Sequence, residues 1–167
     1  LTAASLEAVH EYAGGLDALS TGNFEEARKR LSRAVDLDPN FGMAYTILAS
    51  ASRNVGRYQE AEQYITEALR HIDRMTERER YRNQGLYYLT TGEWQKCVEQ
   101  YTLLVTLYPA DRVGQNNIAS CYTQLRNAPK ALEAAKHAVE IVPRGVGQRL
   151  NLAFISAFAG DFPASEK

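Results

Sequence analysis

The side chains with the most chemical reach in this sequence are three histidines, His10, His71 and His137, two cysteines, Cys97 and Cys121, and three asparagines, Asn83, Asn117 and Asn151. Imidazoles and thiolates hold metals or act as bases and nucleophiles only where they converge, and convergence usually shows as short, characteristic spacings. Each histidine stands in a different stretch of the chain, with no Cys, His or carboxylate at metal-ligand spacing beside it. They read as surface residues of amphipathic helices. Cys97 and Cys121 are too few and too far apart to suggest a disulfide framework or a zinc site, so they read as small packed residues and leave the redox compartment open. A catalytic thiol needs a base, and no glycine-rich phosphate loop follows a strand. The expectation is therefore no enzyme, no metal and no cofactor. The asparagines are different, because they recur every 34 residues. A carboxamide offers a donor and an acceptor together, which matches the N–H and C=O of an extended peptide.

Side chains in register imply repeated elements that set the register. Three strings align: Gly22-Asn23-Phe24-Glu25-Glu26-Ala27, Gly56-Arg57-Tyr58-Gln59-Glu60-Ala61 and Gly92-Glu93-Trp94-Gln95-Lys96-Cys97. Each is a glycine, a polar residue, an aromatic, two polar residues and a small residue, at successive separations of 34 and 36. Pro39, Pro109 and Pro143 keep the same period. Carried on, the glycine slot falls at Arg126 and then at Gly160. Leu31, Ala34, Val35 and Leu37, like Ile65, Ala68, Leu69 and Ile72, follow helical spacing. Each unit thus predicts two helices of roughly fourteen residues with a tight turn at the glycine slot. Asn23, Asn127 and Asp161 sit where the second helix needs an N-cap. Pro129 and Pro163 follow in the first turn, where a missing N–H costs nothing. Thr76 and Glu79 form a capping box within the two-residue insertion, so a helix starts there.

This pattern resembles the tetratricopeptide repeat, a 34-residue helix–turn–helix unit, over essentially the whole chain. The third unit carries it at Tyr81, Gly85, Tyr88, Gly92, Trp94, Cys97, Tyr101 and Pro109. The first carries it at Gly15, Gly22, Phe24, Ala27, Leu31, Ala34 and Pro39, and the second at Tyr45, Ala49, Gly56, Tyr58, Ala61 and Ala68. The fourth keeps Ala119, Tyr122, Ala131, Ala138 and Pro143. The implied fold is all-α, a right-handed superhelical solenoid forming one domain over 1–167. Its repeats cover approximately 8–41, 42–77, 78–111 and 112–145, with a partial fifth over 146–167. Small residues at Ala27, Ala61, Cys97 and Ala131 let paired helices approach. Tyr45, Tyr58, Tyr81, Tyr88, Tyr101 and Tyr122 occupy structural slots, so core packing rather than base stacking explains them.

In this family the first helix of each repeat lines the concave surface. The resemblance places Tyr12, Leu16, Met43, Thr46, Ser50, Arg53, Arg82, Asn83, Leu86, Asn116, Asn117, Ser120, Asn151 and Phe154 along that groove, apolar at both ends and polar in the middle. Asn83, Asn117 and Asn151 resemble a ladder that binds a peptide main chain; bonding within their own array is the other reading, and both stay open. The carboxylate clamp of chaperone-binding members is absent, since its positions read Tyr12, Leu16, Ile47, Glu79 and Asn83. Thr76-Glu77-Arg78-Glu79-Arg80-Tyr81 and Leu107-Tyr108-Pro109-Ala110-Asp111 look similar to repeats appended to bacterial serine/threonine protein kinases and related signalling proteins, which implies a docking domain of a larger protein.

The expected partner is thus a protein, through an extended or helical segment in the groove. The rival expectation is an assembly role, in which the array packs on itself or on the rest of its own polypeptide. The C-terminal helix, with Leu150, Leu152, Phe154, Ile155 and Phe158, carries too many apolar residues for one face and is the expected point of self-association. Nineteen basic against twenty acidic residues leave a net charge of −1, which gives no support to a nucleic-acid or anionic-membrane binder. No apolar run reaches the ~18 residues of a membrane span. The chain starts without methionine or a signal segment and reads as a fragment; its compartment stays open, cytoplasmic or, if attached to a membrane-spanning host, periplasmic.

Overall fold

In the computed structural model, residues 5–160 are described, and among them all regular structure is helical. They fall into two compact units that divide between Thr91 and Gly92. The first holds α1 (Leu6–Ser20), α2 (Phe24–Leu37), α3 (Gly42–Asn54), α4 (Tyr58–Arg70) and α5 (Glu77–Thr91). The second holds α6 (Trp94–Leu107), α7 (Arg112–Gln124), α8 (Ala128–Ile141) and α9 (Val146–Ala159).

Within the first unit α1 pairs with α2 and α3 with α4, while α2 packs on α3 and α4 on α5. The tight turns explain why the pairs form. Gly22 and Gly56 adopt φ of 79° and 77°, a conformation that a side chain opposes. The left-handed residue lets the next N–H fold back: Asn23 N donates to Ala18 O and Arg57 N to Ser52 O, both at 2.9 Å, which closes the preceding helix. The following helix then starts at once, with the Asn23 side chain accepting from Glu26 N. Close approach of α1 and α2 depends on Gly15, where an added Cβ would lie 2.6 Å from Leu31 Cγ. Ala27, Leu31, Leu48, Ala61 and Ile65 are wholly buried. Each larger aliphatic among them contributes about 1.5–3 kcal/mol by leaving water.

The insertion forms a single 3₁₀ turn over Ile72–Arg74. It is followed by the expected capping box, in which Glu79 N donates to Thr76 Oγ1 at 3.3 Å and Thr76 N to Glu79 Oε2 at 2.9 Å.

Within the second unit α6 packs on α7, α7 on α8 and α8 on α9. Asn127 caps α8 by accepting from Lys130 N, with Pro129 in the first turn. The slot that lacks its glycine keeps the same backbone, since Arg126 takes φ 56° and Asn127 N still reaches Tyr122 O at 2.9 Å. Ala119, Ala131, Ala135 and Ile155 form a core cluster, with Tyr122 and Leu152 packed against it. The proposed caps at Asp161 and Pro163 lie outside the described residues.

Three expectations need correction. Cys97 and Cys121 are bonded as a disulfide despite being 24 residues apart, because α6 and α7 are neighbours whose small-residue slots face each other with Cα atoms 6.0 Å apart. His71 is not a surface residue: its side chain is only 15% exposed, stacked on Tyr45 with Nε2 3.5 Å from Glu67 Oε1. Tyr58 is not core, being 62% exposed at the start of α4.

Candidate functional site

The candidate residues lie on first helices of the helix pairs, and each unit gathers its own set. In the first unit, Tyr12 on α1 packs against Phe41 at a ring separation of 4.8 Å. Burial pushes its phenol up to about 12; the Glu79 carboxylate adds to the shift and the Arg82 guanidinium opposes it. Tyr12 therefore stays neutral at any physiological pH and lies within electrostatic reach of α5. Arg53 on α3 donates from Nη1 to Leu89 O at 3.1 Å, which ties α3 to the last turn of α5. Ser50, Arg53 and Arg82 are half-buried and so present part of each side chain to solvent.

Four members of the set are buried: Met43, Thr46, Asn83 and Leu86. Asn83 donates from Nδ2 to Thr46 Oγ1 at 2.8 Å, and Thr46 in turn donates to Gly42 O. That chain of bonds joins α5 to α3 and uses the Asn83 amide inside the array. The surface available to a ligand on this unit narrows to Tyr12, Leu16, Ser50, Arg53 and Arg82.

The second unit brings its members into direct contact. Asn151 on α9 donates from Nδ2 towards Asn116 O at 3.2 Å, Asn116 Oδ1 at 3.1 Å and Ser120 Oγ at 3.5 Å, all on α7. Asn116 Nδ2 lies 3.5 Å from Asn117 Oδ1. Asn117 donates from Nδ2 to the Tyr101 hydroxyl at 2.7 Å. All four polar residues are half-buried, and Phe154 beside them is 64% exposed. The result is a patch of amide and hydroxyl groups held in place by one another, bordered by an aromatic ring.

Sequence reasoning missed what sits beneath this patch. Cys97 and Tyr101 are one turn apart on α6, and Asn117 and Cys121 one turn apart on α7. The disulfide and the Tyr101–Asn117 bond are therefore successive rungs between the two helices. The spacing of four within each helix was visible, but not the pairing across them. Among the described residues no cluster of His, Cys, Asp or Glu is arranged to hold a metal ion, and no helix is long and apolar enough to cross a membrane.

A family model described as Tetratricopeptide repeat matches residues 12–74. No curated protein matches the chain. Solved structures do. TTC0263, a thermophilic TPR protein of Thermus thermophilus, is 15% identical and superposes with a TM-score of 0.67, covering 95% of this chain and 86% of that one. MamA 41-end from Desulfovibrio magneticus RS-1 is 20% identical, with a TM-score of 0.52 over 97% of this chain and 90% of that one. The TPR2AB-domain:pHSP90 complex of yeast Sti1 is 17% identical, with a TM-score of 0.50 over 95% and 86%. At these identities the likeness is one of fold.

Proposed function

We propose that this chain, whose residues 12–74 match the tetratricopeptide repeat, is a non-catalytic protein-binding module that takes an extended or helical segment of a partner protein along its first helices. The observation that carries this reading is the Asn116–Asn117–Ser120–Asn151 patch, whose mutual bonds fix amide groups at a partly open surface. Pre-positioned amides bind a peptide backbone without first losing side-chain entropy. The Phe154 ring beside them supplies an apolar contact that an amphipathic or extended segment would cover. On the first unit Ser50, Arg53 and Arg82 form the corresponding polar surface, with Tyr12 and Leu16 at its apolar end. The yeast Sti1 neighbour, solved as a complex with pHSP90, supports protein binding by this fold. Attachment to a bacterial signalling protein, implied by the Thr76–Tyr81 and Leu107–Asp111 strings, belongs to the same proposal.

The test is a random-peptide display screen against the 167-residue chain, followed by titration of the enriched peptides. Saturable binding that Asn116→Ala weakens by about 1–3 kcal/mol, the cost of unpaired polar groups at an interface, is the expected result. If no peptide binds saturably, the reading fails.

A second reading is favoured by α9, where Val146, Leu150, Phe154 and Phe158 are all largely exposed at intervals of four residues. Such a stripe supports self-association through this helix.

A further inference from the structure

We propose that the α9 stripe of one copy docks into the groove between α1 and α2 of a second copy, so that chains join head to tail. The inference rests on the self-association reading and adds to it the receiving surface and the symmetry.

The groove is an open cavity of about 980 Å³ on the first helix pair, with Leu6, Val9, Ala13 and Leu37 as its apolar lining. Leu6 is 86% and Leu37 44% exposed. The equivalent surface one repeat later is covered. One period of 34 residues further on, the slots of Val9 and His10 hold Met43 and Ala44, which are 3% and 0% exposed because α2 packs over α3. On α1 the same slots hold a half-buried valine and an exposed histidine. Among the described residues no helix covers α1 as α2 covers α3, and a helix with an apolar stripe is the shape that fits.

Charge selects α9 as that helix. From Pro143 to Gly160 the chain has Arg144 and Arg149 and no acidic residue. Glu11 in the groove wall is only 13% exposed and pairs with Arg30 and Arg33 at 3.8 and 3.9 Å, which leaves Glu7 and Asp36 as the groove's outward carboxylates. An apolar stripe flanked by arginines therefore meets an apolar groove flanked by carboxylates, and complementary potentials set the orientation. The two surfaces differ, so the contact is heterologous and each copy carries one surface of each kind.

The test uses two blocked variants of the whole chain, with circular dichroism to confirm that each retains the helical content of the parent. Phe154→Glu with Phe158→Glu blocks α9, and Val9→Glu with Leu37→Glu blocks the groove. Analytical ultracentrifugation of the parent should show a mass that grows with concentration beyond a dimer. Each blocked variant alone should be monomeric. An equimolar mixture should give a one-to-one heterodimer and nothing larger, because one intact end remains on each partner, and this dimer should weaken as salt is raised. If the groove variant still associates and the mixture yields no new species, α9 pairs with α9: self-association stands and the head-to-tail inference falls. A parent that is monomeric at every concentration overturns both.

Discussion

Single positions in the turns and on the first helices carry measurable consequences. Arg126 holds a left-handed backbone, φ 56°, in a slot where Gly22, Gly56, Gly92 and Gly160 lie between 76° and 83°. A side chain there costs roughly 1–2 kcal/mol, against which glycine loses about 0.5–1 kcal/mol through the freer unfolded chain. Arg126→Gly should therefore stabilise the chain by up to about 1 kcal/mol, seen as a raised urea midpoint, whereas Gly56→Ala should lower it by a similar amount. An Arg126→Gly midpoint below that of the parent would show that the arginine side chain makes a compensating contact. Tyr12 makes a pH-dependent prediction. Its folded pKa, about 12, stands above the ordinary phenol value of 10.0 because burial disfavours phenolate. The proton is held more tightly in the folded chain, so the contribution is fully present below pH 10 and is lost as pH rises through about 12. The stability difference between parent and Tyr12→Phe should be constant at neutral pH and shift against the parent over that alkaline window. A difference that does not change with pH would mean that Tyr12 titrates normally. The period was legible at this scale because each slot demands a residue type for a local reason: glycine for the turn, asparagine for the cap, alanine for close approach. Burial of Asn83 was not, since it depends on Thr46, 37 residues away and one helix pair earlier.

Between elements, the sequence showed helices and their order, while contacts across them depended on facing slots that periodicity does not pair. The disulfide is the clearest case. Cys97 occupies the small-residue slot held by Ala27, Ala61 and Ala131 in the other repeats, which is why it read as an alanine substitute. The slot was identified, and its wholly buried position is as expected. What the residue type concealed was that the slot faces Cys121 on α7. Closing a 24-residue loop restricts the unfolded chain and should stabilise the second unit by about 3 kcal/mol. Cys97→Ala with Cys121→Ala isolates that effect, since alanine already serves the first of these slots elsewhere. The double variant should lose stability by about that amount and become insensitive to reductant, while the parent under reductant should fall to a similar level. If reductant leaves the parent unchanged and free thiols are found before its addition, the two cysteines are not bonded in solution. The same pair lies one turn from Tyr101 and Asn117, so loosening α6 against α7 should also weaken peptide binding at Asn116 and Ser120.

At the scale of the whole molecule, stability in a repeat array is approximately a sum of helix-pair terms and nearest-neighbour contacts, so it need not be uniform along the chain. The interior of the first unit is well supplied: α3 alone buries Met43, Ala44, Thr46, Leu48, Ala49, Ala51 and Ser52 along its length. By contrast, α9 buries only Ile155 and Ser156, and Ile155 is its single wholly buried apolar side chain. That residue joins Ala119, Ala131 and Ala135, all small, with the half-buried Tyr122, Leu132 and Leu152 at the edge of the cluster, so truncating it leaves a cavity among alanines. Truncating an isoleucine at such a site costs about 2–5 kcal/mol, which is comparable to the whole local stability of a terminal helix. Ile155→Ala should therefore release α9 without unfolding the rest. In hydrogen exchange, amides of 146–159 should lose protection while those of α3 and α4 keep theirs. Loss of α9 also removes Asn151 from Asn116 and Ser120, so peptide affinity at the second unit should fall together with that protection. Uniform loss of protection across α1 to α9 would instead show that the array unfolds as one cooperative body, with α9 as strongly coupled to it as the interior helices.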